Sequence, residues 1–232
     1  MAIDPTAIIH ETAKIHKGAT ILASAVIGAN VEIGAGTVVD SHAVIAGPTK
    51  IGKNNHIYPF ASIGGDPQDI TYQDGQESNL VIGDDNLIRE FCTINRGTEK
   101  ENSLTRIGSN NMLMSYVHIA HDCQLGDHII MSNNASLAGH VRISDWAILG
   151  GFVLVKQFCN IGRHTYAGMG SQINKDIPDY MVADKPHLVR VLPNLEGPSY
   201  QTYFVYTEAF KNDRRLEVFR DFLFNEAKDW HY

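Results

Sequence analysis

The chain has 232 residues, 44% hydrophobic and 19% charged, with 19 basic against 26 acidic side chains and a formal charge of −7 at neutral pH. That length supports one large or two smaller domains with a sizeable core, and the acidic balance argues against a nucleic-acid binder working by phosphate neutralisation, though not against a local basic pocket for one phosphorylated ligand. No apolar run approaches the roughly 20 residues of a membrane span, Met1 to His10 lack the pattern of a secretory signal, and three cysteines without metal-type spacing (Cys92, Cys123, Cys159) point to a reduced, cytoplasmic setting.

From Ile9 onward an aliphatic residue recurs every sixth position: Ile15, Ile21, Ile27, Ile33, Val39, Ile45, Ile51, Ile57 and Ile63. The register breaks, returns at Ile82, Ile88 and Ile94, and breaks again. It restarts at Ile107 and runs through Leu113, Ile119, Leu125, Met131, Leu137, Ile143, Leu149, Val155, Ile161 and Ala167 to Ile173. Helical stripes recur at 3.6 residues and half-buried strands at 2, so neither explains a period of six. Hexapeptide repeats predict an all-β solenoid, a parallel β-helix whose triangular coil takes three hexads. The aliphatic residue faces the interior. The residue four places later is small (Ala13, Ala19, Ala25, Thr37, Ala43, Thr49, Ala61, Ala135, Ala147) and is expected to face inward beside a corner. All three cysteines occupy that position and read as core thiols. Glycine often follows the aliphatic residue, as at Gly28, Gly34, Gly52, Gly83 and Gly108, which suggests a turn with unusual backbone angles.

The two breaks, 64–81 and 95–106, are polar and Gly-containing, and read as loops extruded from the prism. The β-helix is therefore placed at 1–177. Prolines 178, 186, 193 and 198 punctuate a connector, and the apolar spacing from Phe204 to Leu223 predicts a short α-helical tail within 178–232.

A period of 18 residues stacks equivalent positions about 4.8 Å apart. His121 then lies under Gly139 and Gln157, and Asp122 under His140 and Phe158, with His118 on the same turn region and Lys156 beside Gln157. Histidine is a candidate general base. A glycine N–H is a candidate oxyanion donor, and a carboxylate can hold an imidazole in one tautomer. Three converging histidines also leave zinc binding open. The remaining histidines, at 10, 16, 42, 56, 164, 187 and 231, are expected to be surface or packing residues.

The segments HIAHDCQLG (118–126), SNNASLAGHV (132–141), QFCNIG (157–162), IYPFASIGGDPQD (57–69) and IREFCTINRGT (88–98) resemble the UDP-N-acetylglucosamine acyltransferases of lipid A synthesis, over roughly residues 5–197. The resemblance implies a left-handed parallel β-helix, a homotrimer with sites between neighbouring prisms, and no bound cofactor. The acyl donor is the phosphopantetheine thioester of acyl carrier protein and the acceptor a UDP-amino-sugar. It assigns His121 as general base on the sugar 3-hydroxyl, Asp122 as its orienting partner and the Gly139 N–H as oxyanion donor. His118, His140 and Gln157 match substrate contacts, as do Gln68 and Asp69 in the first loop and Asn194 and Glu196 in NLEG. The chain departs from the family at Thr71 (a lysine in QDxKY), Asn95 and Lys156 (histidines), and Tyr200 and Gln201 (basic residues), so acyl transfer is expected to be retained with an acceptor either altered or bound more weakly. Asn95 and Lys156 stand at substrate-contacting positions. In YAGMGSQ (166–172), Met169 falls where the family sets acyl length, which implies a shorter chain. An acidic carrier would meet Lys156, Arg163, Lys211, Arg214 or Arg215. The alternatives are acylation of a different, for example 3-amino, nucleotide sugar, an acetyl-coenzyme-A-dependent hexapeptide acetyltransferase, a zinc lyase on the same prism, and a purely structural solenoid.

Overall fold

The structure, a computed structural model, describes residues 2–183. The expected tail helix and Asn194, Glu196, Tyr200, Gln201, Lys211, Arg214 and Arg215 lie outside the described residues. Within them the chain winds through strands of two to four residues that join three parallel sheets. The first sheet runs from Ala2–Ile3 to Val182–Ala183, the second from Ile8–Ile9 to Gln172–Ile173, and the third from Lys14–Ile15 to Asn160–Ile161. As far as Gln172–Ile173 each successive strand passes to the next sheet, so three strands close one triangular coil. The result is a left-handed parallel β-helix of hexapeptide repeats, and its pairing continues past residue 177 to Ala183.

The six-residue period works because one inward residue per strand fills the prism axis. Ile21, Ile45, Ile57, Leu113, Ile119, Leu137 and Leu149 are fully buried, whereas Ile9 and Ile15, in the first coil, are half-buried. Cys92, Cys123 and Cys159 are buried and free. Equivalent residues pair at a separation of 18, as in His118 with Ser136 and Ile119 with Leu137. The extruded loops lengthen single coils without breaking the ladder: Ile57 pairs with Ile88, and Ile88 with Leu113.

The glycines after the aliphatic positions have a different cause from the one expected. Positive φ falls two residues later, at Asn30, Asp122, His140, Trp146 and Phe158 among others, and not at Gly34, Gly52, Gly83 or Gly108. Those glycines are required by close coil stacking. A Cβ at Gly83 would lie 2.7 Å from the Gly108 carbonyl oxygen, and one at Gly52 2.5 Å from that of Gly83. The carbonyls crowding this corner are satisfied from inside. The Asn55, Asn86 and Asn111 side-chain amides donate to the Gly83, Gly108 and Gly126 carbonyls at 2.9–3.0 Å.

Left-handed backbone costs an ordinary residue about 1–2 kcal/mol, and ring stacking offsets part of that. His42, Phe60, Phe91 and Tyr116 form one such stack, and His128, Trp146, His164 and Tyr180 another.

Candidate functional site

The candidate residues gather where strands of the second sheet turn toward the third. His121 follows the strand His118–Ile119, Gly139 follows Ser136–Leu137, and Lys156 and Gln157 follow Leu154–Val155. His140 N–H donates to the His121 carbonyl at 3.0 Å and Phe158 N–H to the Gly139 carbonyl at 3.2 Å, so the three turns are in register. The glycine is sterically required: a Cβ at residue 139 would stand 2.6 Å from His121 Cε1 and 2.8 Å from Nε2. Among the described residues the Gly139 N–H has no acceptor. It is an uncommitted donor beside the imidazole.

Asp122 is buried, 1% exposed. Its Oδ2 accepts from His121 Nδ1 at 2.8 Å and from Thr98 Oγ1 at 2.6 Å, and its Oδ1 accepts from the Thr98 N–H at 2.8 Å. Its own N–H donates to Thr105 Oγ1 at 2.8 Å. Burial pushes the carboxyl pKa up, but the hydrogen bonds from His121 and Thr98 outweigh it and hold the group below the usual carboxylate range. An ionised carboxylate accepts only. The proton of a neutral His121 therefore resides on Nδ1, and Nε2 carries the lone pair. His118 Nδ1 lies 2.7 Å from Thr93 Oγ1. Burial lowers its pKa, as does the neighbouring His121.

His140 stands edge-on to His121, with ring centroids 5.1 Å apart at 88°, and stacks on Phe158 at 4.5 Å. Its Nε2 is 3.7 Å from Asp122 Oδ2 and its Nδ1 is 3.1 Å from Glu101 Oε2. One ligand atom each from His121, Asp122 and His140 lies within 4.8 Å of the others. The carboxylate oxygen at the centre is already shared by Thr98 and His121, which makes this a hydrogen-bonded carboxylate–imidazole pair with a second imidazole beside it.

The loops place the other candidates less uniformly. Asp69 is joined to Lys100 of the second loop and accepts from the Thr71 N–H and Oγ1 at 2.8 and 2.9 Å. These contacts, the Lys100 bond foremost, lower its pKa. Thr71 thus serves Asp69. Gln68 is exposed, as are Lys156 and Gln157. Asn95 is buried: its Nδ2 donates to the Asp66 carbonyl at 2.7 Å, and its Oδ1 has no partner. The neighbouring Arg96 fastens the first loop through the Gly47 and Gly64 carbonyls, Ser78 and Asp66. Met169 is 71% exposed and follows the strand Tyr166–Ala167 of the first sheet, hence at a different corner from His121. Thr98, Lys100, Glu101 and Thr105 escaped the sequence reading, because loop residues outside the six-residue register carry no positional signal.

The family described as bacterial transferase hexapeptide (six repeats) matches residues 6–41 and 104–139. An acyl-[acyl-carrier-protein]–UDP-N-acetylglucosamine O-acyltransferase of Verminephrobacter eiseniae is 50% identical over 155 residues, 66% of this chain and 58% of that protein. The enzyme of the same name from Saccharophagus degradans is 51% identical over 162 residues, 69% of this chain and 62% of that protein. The chain thus spans about three-fifths of the length of these relatives. Among solved structures, LpxA of Acinetobacter baumannii superposes with a TM-score of 0.78 at 48% identity, covering 80% of this chain and 72% of that one. The UDP-N-acetylglucosamine acyltransferase of Campylobacter jejuni superposes with a TM-score of 0.75 at 40% identity, covering 78% and 70%.

Proposed function

The chain belongs to the UDP-N-acetylglucosamine acyltransferase family, and on that premise we propose that it transfers a 3-hydroxyacyl group from acyl carrier protein to the 3-hydroxyl of UDP-N-acetylglucosamine, the first step of lipid A synthesis. The observation that carries this reading is the 2.8 Å bond from His121 Nδ1 to the buried Asp122 carboxylate, with the unpaired Gly139 N–H beside the ring. His121 Nε2 takes the proton of the sugar hydroxyl as its oxygen attacks the thioester carbonyl. The Gly139 N–H stabilises the developing oxyanion. The C–S bond then breaks, and the proton passes from His121 to the pantetheine thiolate. Direct attack also fits the thiols: burial pushes the Cys92 and Cys123 pKa up to about 12, so neither supplies a thiolate nucleophile.

In this proposal Asp69, Gln68, His118, His140 and Gln157 contact substrate, together with Asn194 and Glu196 outside the described residues. Lys156 and Arg163 receive the acidic carrier; Lys156 is exposed, and Arg163 lies 3.3 Å from Asp179. The enzyme works in the cytoplasm without a bound cofactor. Among the described residues no helix is long and apolar enough to cross a membrane. Met169 limits the acyl chain to nearer about ten carbons than about fourteen, because further buried methylenes must find room. Its position at another corner makes a homotrimer part of the proposal: a second prism must bring its own Met169 beside this chain's His121.

The acceptor is tested by offering a ladder of hydroxyacyl carrier thioesters, and acetyl-coenzyme A, with UDP-N-acetylglucosamine or its 3-amino analogue. The reading expects 3-O-acylation from the shorter carrier thioesters. Turnover restricted to the amino sugar, or to acetyl-coenzyme A, contradicts it.

A further inference from the structure

A neutral imidazole has one proton, and two carboxylates flank that of His140. Glu101, from the second extruded loop, meets Nδ1 at 3.1 Å, while Asp122 Oδ2 stands 3.7 Å from Nε2. The shorter contact is a hydrogen bond and the longer one is not. Glu101 thereby takes the His140 proton and leaves Asp122 to His121. Its other oxygen is 3.3 Å from Arg142, which anchors the carboxylate against the third sheet. The His140 ring is in turn held flat on Phe158.

We propose that Glu101 is a positioning residue that acts through His140: by keeping the His140 proton on Nδ1, it prevents that ring from competing with His121 for Asp122 Oδ2. Without Glu101, His140 moves its proton to Nε2 and closes the 3.7 Å gap. Asp122 Oδ2 then holds two imidazole donors besides the Thr98 hydroxyl, and the bond that orients His121 weakens. The second extruded loop guards the base through two residues of one turn, Thr98 holding the carboxylate directly and Glu101 holding off its competitor. The inference rests on the proposed role of His121 for its kinetic consequence, but not for the tautomer itself.

The test uses the full chain labelled with 15N-histidine, with the His140 ring resonances assigned by comparison with His140→Asn. Wild type is expected to show the pyrrole-type nitrogen of neutral His140 at Nδ1. Glu101→Leu is expected to shift it to Nε2, and Glu101→Gln, whose amide oxygen still accepts, to keep it at Nδ1. In the acyl-transfer assay, Glu101→Leu should lose about ten-fold in kcat, part of what a misplaced base costs, and Glu101→Gln should recover most of that loss. The proposal is overturned if the tautomer is the same in wild type and Glu101→Leu, or if it shifts while kcat does not. Absence of acyl transfer in the wild type would instead sink the proposed function, with the ring spectrum still reading the Glu101–His140 contact.

Discussion

The pairing of His121 with Gly139 is legible at the residue scale because both lie two places after an aliphatic position, one 18-residue coil apart. What the spacing does not contain is how tightly they meet. A methyl group at residue 139 would overlap the imidazole, at 2.6 Å from Cε1. Gly139→Ala keeps the backbone N–H yet must displace the ring. Misplacing a base by about an ångström costs about 100-fold in rate, so the variant is expected to lose about that much in kcat with little change in melting temperature. Equal losses of stability and rate would assign the glycine to packing alone. The partners of Asp122 were hidden for a different reason. Thr98 and Glu101 reach the site only because the second loop lies over the coils that follow it, against Asp122 and His140, and nothing in a six-residue count says where an insertion settles.

Among the elements, the third corner carries the least obvious stabilisation. Thr37, Asn55, Asn86 and Asn111 are buried one above another, at positions where the repeat otherwise prefers alanine. Asn86 Nδ2 donates to Asn55 Oδ1 at 2.9 Å and to the Gly108 carbonyl at 3.0 Å, and its Oδ1 accepts from the Asn111 N–H at 2.9 Å. The ladder continues as Asn111 Oδ1 accepts from the Ile129 N–H at 2.7 Å. These bonds satisfy the backbone groups that the glycine column crowds together. Asn86→Ala strands several of them in the interior and is expected to destabilise the protein by about 3 kcal/mol in urea unfolding. A cost below about 1 kcal/mol would show that water replaces the amide. Periodicity identified the slot as inward-facing and placed Thr37 in it; the asparagines were illegible because alanine, threonine and asparagine fit the same slot for opposite reasons.

On the scale of the whole molecule, a six-residue period over most of the described chain specifies the prism almost by itself, while inside its two breaks the strands Ser62–Gly65, Asn79–Ile82, Thr93–Asn95 and Leu104–Ile107 take part of each range and leave 66–78 and 96–103 between them. Handedness did not follow from the period; it entered through the family resemblance. The period already contains the separation of Met169 from His121, since the 48 residues between them are not a multiple of the 18-residue coil, but a count along one chain does not bring two prisms together. The proposed homotrimer resolves the separation and makes a testable demand. In trimers mixed from wild-type subunits and subunits carrying His121→Ala with Met169→Gly, every working base belongs to a wild-type chain. Donor preference is expected to shift toward longer acyl chains, because the altered ruler lies in the neighbour. A preference unchanged from wild type would place each ruler and base on the same prism or remove Met169 from the groove.

The imidazole held by Asp122 beside the Gly139 amide is, in the proposed function, the general base of acyl transfer. The direct measurement is the steady-state rate of 3-hydroxyacyl transfer from acyl carrier protein to UDP-N-acetylglucosamine by wild type and His121→Ala, each checked for an intact fold. A fall in kcat of about 1,000-fold is expected in the variant. A His121→Ala rate within about ten-fold of wild type would contradict it.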